Sequence, residues 1–136
     1  TMFPRALRML LTGLILQGSA LAEDYLRDIK PLLTDACVGC HEPGTRKGGL
    51  RLDTAAGLRA GGNHGPALIP GDPASSLLMQ VLEGRHAEVP RMPYKKPPIP
   101  PEATERIRRW IAAGALAPET ETPGIKVHWA FAAPSR

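Results

Sequence analysis

Glycine and proline break this chain into short pieces. Fourteen Gly and 15 Pro among 136 residues interrupt every long run of helix- or strand-forming sequence. Pro removes a backbone donor, and Gly loses more freedom on ordering than any other residue. Aromatic residues are scarce, with 2 Phe, 2 Trp and 2 Tyr. The chain therefore has little large apolar side chain with which to fill an interior. Its apolar share of 43% and charged share of 22% are still those of a globular domain. This balance excludes a collagen-like chain, an acidic disordered tail and a polytopic membrane protein. It predicts one compact domain whose core is short of material.

The first residues read as an address. Arg5 and Arg8 precede an apolar run from Met9 to Leu16, and Ser19-Ala20-Leu21-Ala22 follows. A positive start, a short apolar middle and an Ala-x-Ala end make an export signal, assigned to residues 1–22. A retained anchor or a buried first helix is the alternative, but the run is too short to span about 30 Å of hydrocarbon. The expected location is the bacterial periplasm or cell envelope, with no stable membrane span after cleavage. Losing Arg5 and Arg8 lowers the formal charge from +4 to +2. No basic stripe remains, so nucleic acid is not an expected partner.

Both cysteines lie in Cys37-Val38-Gly39-Cys40-His41. Export favours disulfides, but a bridge between these two would close a tiny loop and stabilise little. C-x-x-C-H is instead the attachment signature of c-type haem. On a helical turn, residues three apart present both thiols on one side, where each can join a haem vinyl group. His41 follows where its imidazole can reach the iron, and His is a common proximal ligand. Two other uses compete. A thioredoxin-like pair needs a βαβ setting, and no strand pattern is present. A zinc site needs four ligands, so one distant His would have to join these three.

The second axial position has several candidates: Met79, Met92, His64, His86 and water. Met79 lies off the apolar stripe Leu77, Leu78, Val81 and Leu82, as a surface or gap-filling residue. Met92 sits between prolines in Pro90-Arg91-Met92-Pro93, which restrict its backbone.

Helices are predicted from Pro31 to about Gly39, over Thr54–Ala60 with Asp53 as N-cap, over Ala74–Glu83 after Asp72-Pro73, and over Glu102–Ala113. In the last, Ala103, Ile107, Trp110 and Ile111 form one face. Glu102–Arg106 and Glu105–Arg109 are candidate i,i+4 pairs. Residues 42–72 and 89–101 read as loop, and 118–123 as linker. The fold class is all-α: three to four short helices with long Gly/Pro-rich loops around one covalently bound haem, spanning 23–117.

Several stretches together resemble the planctomycete-type cytochrome c domain. They are the C-x-x-C-H motif, Gly48-Gly49-Leu50-Arg51-Leu52-Asp53, Gly65-Pro66-Ala67, Pro70-Gly71-Asp72-Pro73, Ser76-Leu77-Leu78, Arg91-Met92-Pro93 and Trp110-Ile111. The resemblance covers roughly 25–116. It implies a terminal helix packed across the first, haem attachment at Cys37 and Cys40, and His41 and Met92 as the axial ligands. It also implies that such a domain opens a longer exported protein. Residues 118–136, with Trp129 and Phe131, then read as a linker and the start of a downstream region.

The expected function is haem c-based electron transfer, to a redox partner protein or a fused downstream domain. A haem enzyme or sensor with an open or exchangeable sixth position is the alternative. Arg46, Lys47, Arg51 and Arg59 are candidates to pair with a haem carboxylate. Tyr94-Lys95-Lys96 is a candidate docking surface for an acidic redox partner.

Overall fold

The computed structural model describes residues 22–41 and 44–122. The expected leader through Leu21, and Trp129 and Phe131, lie outside the described residues. Among those described there is no strand, only one isolated bridge between Gly62 and Gly65. The fold is all-α, as the sequence predicts.

The first helix, α1, is one continuous helical stretch over 25–38, built of three turns. A wide π-helical turn, Tyr25–Ile29, leads into an α-turn, Lys30–Leu33, and a second wide turn, Thr34–Val38. Asp24 caps its start: its carboxylate accepts from Arg27 N at 2.8 Å, and its own N–H donates to Asp28 Oδ2 at 2.8 Å. This capping begins the helix well ahead of Pro31, earlier than the sequence predicts. Pro31 offers no N–H and crowds the carbonyl four residues back. The helix meets that problem by widening, with Lys30 N bonded to Tyr25 O.

The helix α2 spans Ala55–Ala60. Thr54, not Asp53, is its N-cap, accepting from Gly57 N at 3.1 Å. Asp53 is instead buried and clamped by Arg51, with Nε–Oδ1 at 3.0 Å and Nη2–Oδ2 at 2.7 Å. The helix α3 is shorter than predicted, Leu77–Leu82. Asp72 caps a separate turn by accepting from Ser75 N at 3.1 Å. Ser76 then adopts extended backbone, and its buried hydroxyl donates to Asp72 O at 2.7 Å. The longest helix, α4, spans Pro101–Ala112.

Tyr25 and Trp110 stack with ring centroids 5.5 Å apart, so α4 lies across the start of α1. Ile29, Leu33, Leu58, Met79, Ile107 and Ile111 fill the space around them and are fully buried. Met79 is thus a gap-filling core residue. The predicted i,i+4 pairs on α4 do not form. Arg109 turns to Glu23 (Nε–Oε1 3.0 Å), and Arg108 pairs with Glu105 and Glu83. For Arg109, the partly buried Glu23 outcompetes the exposed helix neighbour Glu105, since such a helix pair is worth only a few tenths of a kcal/mol.

Candidate functional site

The end of α1 carries the C-x-x-C-H motif into a tight turn. Cys40 N and His41 N both bond to Cys37 O, at 3.2 and 3.1 Å. This keeps the two cysteines on one side, as i,i+3 spacing requires. The next loop is pinned to the motif at two points, Lys47 N to Cys40 O at 3.0 Å and Leu52 N to His41 O at 2.7 Å.

Beside the motif opens a cavity of about 490 Å³. Cys37, Cys40, His41 and Met92 all line it. Its floor is apolar: Ala36 from α1, Leu50, Leu52 and Ala67 from the loops, and Leu77, Leu78, Val81 and Leu82 from α3. The apolar stripe of α3 therefore faces the cavity as well as the core. Its packing on α4 sets the cavity wall. Met92 comes in from the loop after α3, anchored by its N–H to Val81 O at 2.9 Å. Volume and lining are those of a site for a sizeable apolar ligand with a few polar contacts.

The chemistry of the walls is specific. Cys37 and Cys40 are both free thiols. Burial pushes the Cys37 thiol up to about 12, with Cys40 beside it adding to the rise. It is therefore a protonated thiol. Burial also holds His41 below the ordinary histidine range, against an opposing pull from the backbone of Lys47 and Leu50. A neutral imidazole is the form that ligates metal. His41 Nδ1 is buried and has no hydrogen-bond partner.

Met79 is buried away from the cavity. His86 does not line it either, and its Nδ1 accepts from Glu88 N at 3.1 Å and Val89 N at 2.9 Å. His64 does line it, on an exposed loop, with its ring 6.2 Å from that of His86. Arg51 is committed to Asp53, and Arg59 donates to Ala115 O at 3.1 Å. Arg46 faces a second, open hollow with Arg51 and Thr54. Of the four basic candidates only Lys47 lines the main cavity, joined there by Lys96 and Tyr94.

The sequence reading missed Glu121. Its carboxylate is almost fully buried and reaches Tyr25 Oη at 3.2 Å, Lys30 Nζ at 2.6 Å and the N–H of Ala55. No local pattern signals this, because its partners lie 66 to 96 residues away.

The family model described as Planctomycete cytochrome C matches residues 37–95, from the first cysteine to just past Met92. This stretch matches that family. The cytochrome domain is a haem-binding domain, and the family implies haem c. A solved structure, Kuenenia stuttgartiensis hydrazine synthase, is similar at 21% identity with a TM-score of 0.41; the match covers 76% of this chain and 18% of that one. No significant match was found among curated proteins. The residues present fit a haem: paired free thiols, a neutral imidazole with one unpartnered nitrogen, a thioether and an apolar cavity. Among the described residues no group of three or more His, Cys, Asp and Glu could hold a bare metal ion.

Proposed function

We propose that the chain is a haem c electron-transfer domain of an exported bacterial protein, working in the periplasm or cell envelope. One haem is joined through Cys37 and Cys40 and held between His41 and Met92. The observation that carries this reading is the convergence of those four residues on one apolar cavity. Two thiols supply attachment, the neutral imidazole supplies one axial ligand, and the thioether supplies the other. The bound haem supplies the one-electron redox change. A His/Met pair favours electron transfer and raises the potential. The apolar walls limit water around the ring, which tunes the potential in the same sense.

The hydrogen bonds of His86 favour Met92 over it. With two N–H groups aimed at Nδ1, the ring proton sits on Nε2, and Nε2 has no lone pair to offer. His64 lines the cavity, so a second reading is exchangeable ligation by His64, as in a sensor or enzyme. The electron-transfer reading places the domain at the start of a longer protein, passing electrons to a partner protein or a fused domain.

The test is expression in a host that matures c-type haem, followed by intact mass and an oxidised spectrum. One added haem, together with the weak long-wavelength band of Met–iron ligation that Met92→Ala abolishes, is the expected result. A mass without haem would overturn the whole reading. A haem without the band would favour the second.

A further inference from the structure

The main cavity has a one-sided charge pattern. Among its described lining residues are two cations, Lys47 and Lys96, and no Asp or Glu. The other polar side chains there are His41, His64 and Tyr94, beside the two thiols. Both lysines are exposed, so their charges stay hydrated while part of each side chain lines the cavity. The two lysines come from different segments. Lys47 opens a short 3₁₀ turn, Lys47–Gly49, after the C-x-x-C-H motif, and Lys96 follows Met92 in the loop after α3.

Several other cations lie outside this lining, and two of them are held elsewhere. Arg51 is held by Asp53, Arg59 by Ala115 O, and Arg46 faces the second hollow. Lys95, the sequence neighbour of Lys96, lies over the Tyr94 ring with Nζ 5.3 Å from its centroid and is not part of the lining.

We propose that Lys47 and Lys96 bind the two carboxylates of the haem, a step that rests on the haem reading above. Haem is apolar except for those two groups, so a cavity that takes its ring leaves both charges to be met by water or by a cation at its edge. N⁺–H···O⁻ bonds are about twice as strong as neutral ones. Placed on two segments, the lysines fix how the ring is turned and tie the loop after His41 to the loop after Met92. They are positioning residues, whose charged ends act on the ring's carboxylates and not on the iron.

The experiment uses the purified holoprotein and a water-soluble carbodiimide with no added amine. The reagent adds to a carboxylate, and a lysine amine already in contact with it displaces the reagent as its urea and closes an amide. Peptide mass spectrometry then reads which lysine has joined the haem. The expected result is an amide from the haem to Lys47 and another to Lys96. Lys47→Gln and Lys96→Gln each remove their own product. Lys95→Gln leaves both, and its reduction potential shifts less than theirs, which fall with the loss of a positive charge beside the ring. Coupling at neither lysine, or at Lys95 in equal yield, overturns the proposal. The mass taken before coupling separates the two failures: a chain without haem sinks the haem reading, and this one with it, whereas a haem-bearing chain that does not couple sinks only this one.

Discussion

Gly62 has no room for a side chain. A Cβ there would lie 2.4 Å from the Gly48 carbonyl oxygen and 2.9 Å from Leu50 N. Asn63 N bonds to Gly48 O at 2.8 Å, so two loops cross in contact at this point. Gly48, Gly62 and Gly65 all line the main cavity. Gly62→Ala is therefore expected to cost more than ~1 kcal/mol in denaturant unfolding and to lower the fraction of chain carrying haem. Gly44→Ala, with nothing within 4 Å of its Cβ, serves as the neutral control. At the start of α1, hydrogen bonds from Arg27 and from the Asp24 N–H hold the Asp28 carboxyl down at about 2. Because the pKa is depressed on folding, the stabilisation is present above the ordinary carboxylate range of about 4 and is lost as pH falls through about 2. Asp28→Asn is expected to lose stability near neutral pH and to flatten the acid limb between those values. Urea midpoints measured across the acid range check this.

At the scale of elements, the segment after α4 behaves as a strap. Trp110 Nε1 donates to Leu116 O at 2.9 Å, and Glu121 reaches back to Tyr25, Lys30 and the start of α2. Its carboxylate and the burial of Tyr25 both raise the phenol, burial being the larger cause. Three elements distant in sequence thus share one carboxylate: α1, α2 and the chain leaving α4. Glu121→Ala is expected to cost about 1.5–3 kcal/mol, the range for hydrogen bonds to a charged group left unpaired. Ending the chain at 117 is expected to cost at least as much, and thermal unfolding of both variants is the measurement. Tyr25→Phe removes only the hydroxyl contact and is expected to fall well below both.

For the whole molecule, the cavity answers the shortage of core material. Its apolar floor comes from α1, α3 and the loops between them, and these pieces meet each other only partly. Leu77, Val81, Leu82 and Met92 all line this cavity. Interiors are stable at the density of organic crystals, and unfilled apolar volume costs stability. A chain with both cysteines changed to Ala, and so without attached haem, is expected to keep part of its helix but lose fixed packing. Far-UV dichroism retained in part, weak near-UV signal and binding of a hydrophobic dye are the marks to look for. A well-packed chain indistinguishable from the haem-bearing form would contradict this.

The motif Cys37 to His41, the absence of strands among the described residues and the four helix positions were legible in the sequence, because they rest on local spacing, caps and turn residues. Met92 was legible as one of several candidates from its own residues, and as the second axial ligand only through the family resemblance. Its place in the same cavity as His41 depends on the loop from 83 to 96 returning to α3, where Met92 N bonds to Val81 O, and no local pattern encodes that return. The same limit explains the helix boundaries. Asp53 has the chemistry of an N-cap, and only the approach of Arg51 draws it away and leaves Thr54 to cap α2. It also explains the surface pairs, where Glu23 takes Arg109 from its helix neighbour. Sequence alone determined which chemical groups the chain carries and the local turns that hold them. Tertiary structure alone decided which groups meet, because a buried charge or an apolar stripe takes its partner from whatever segment closes over it.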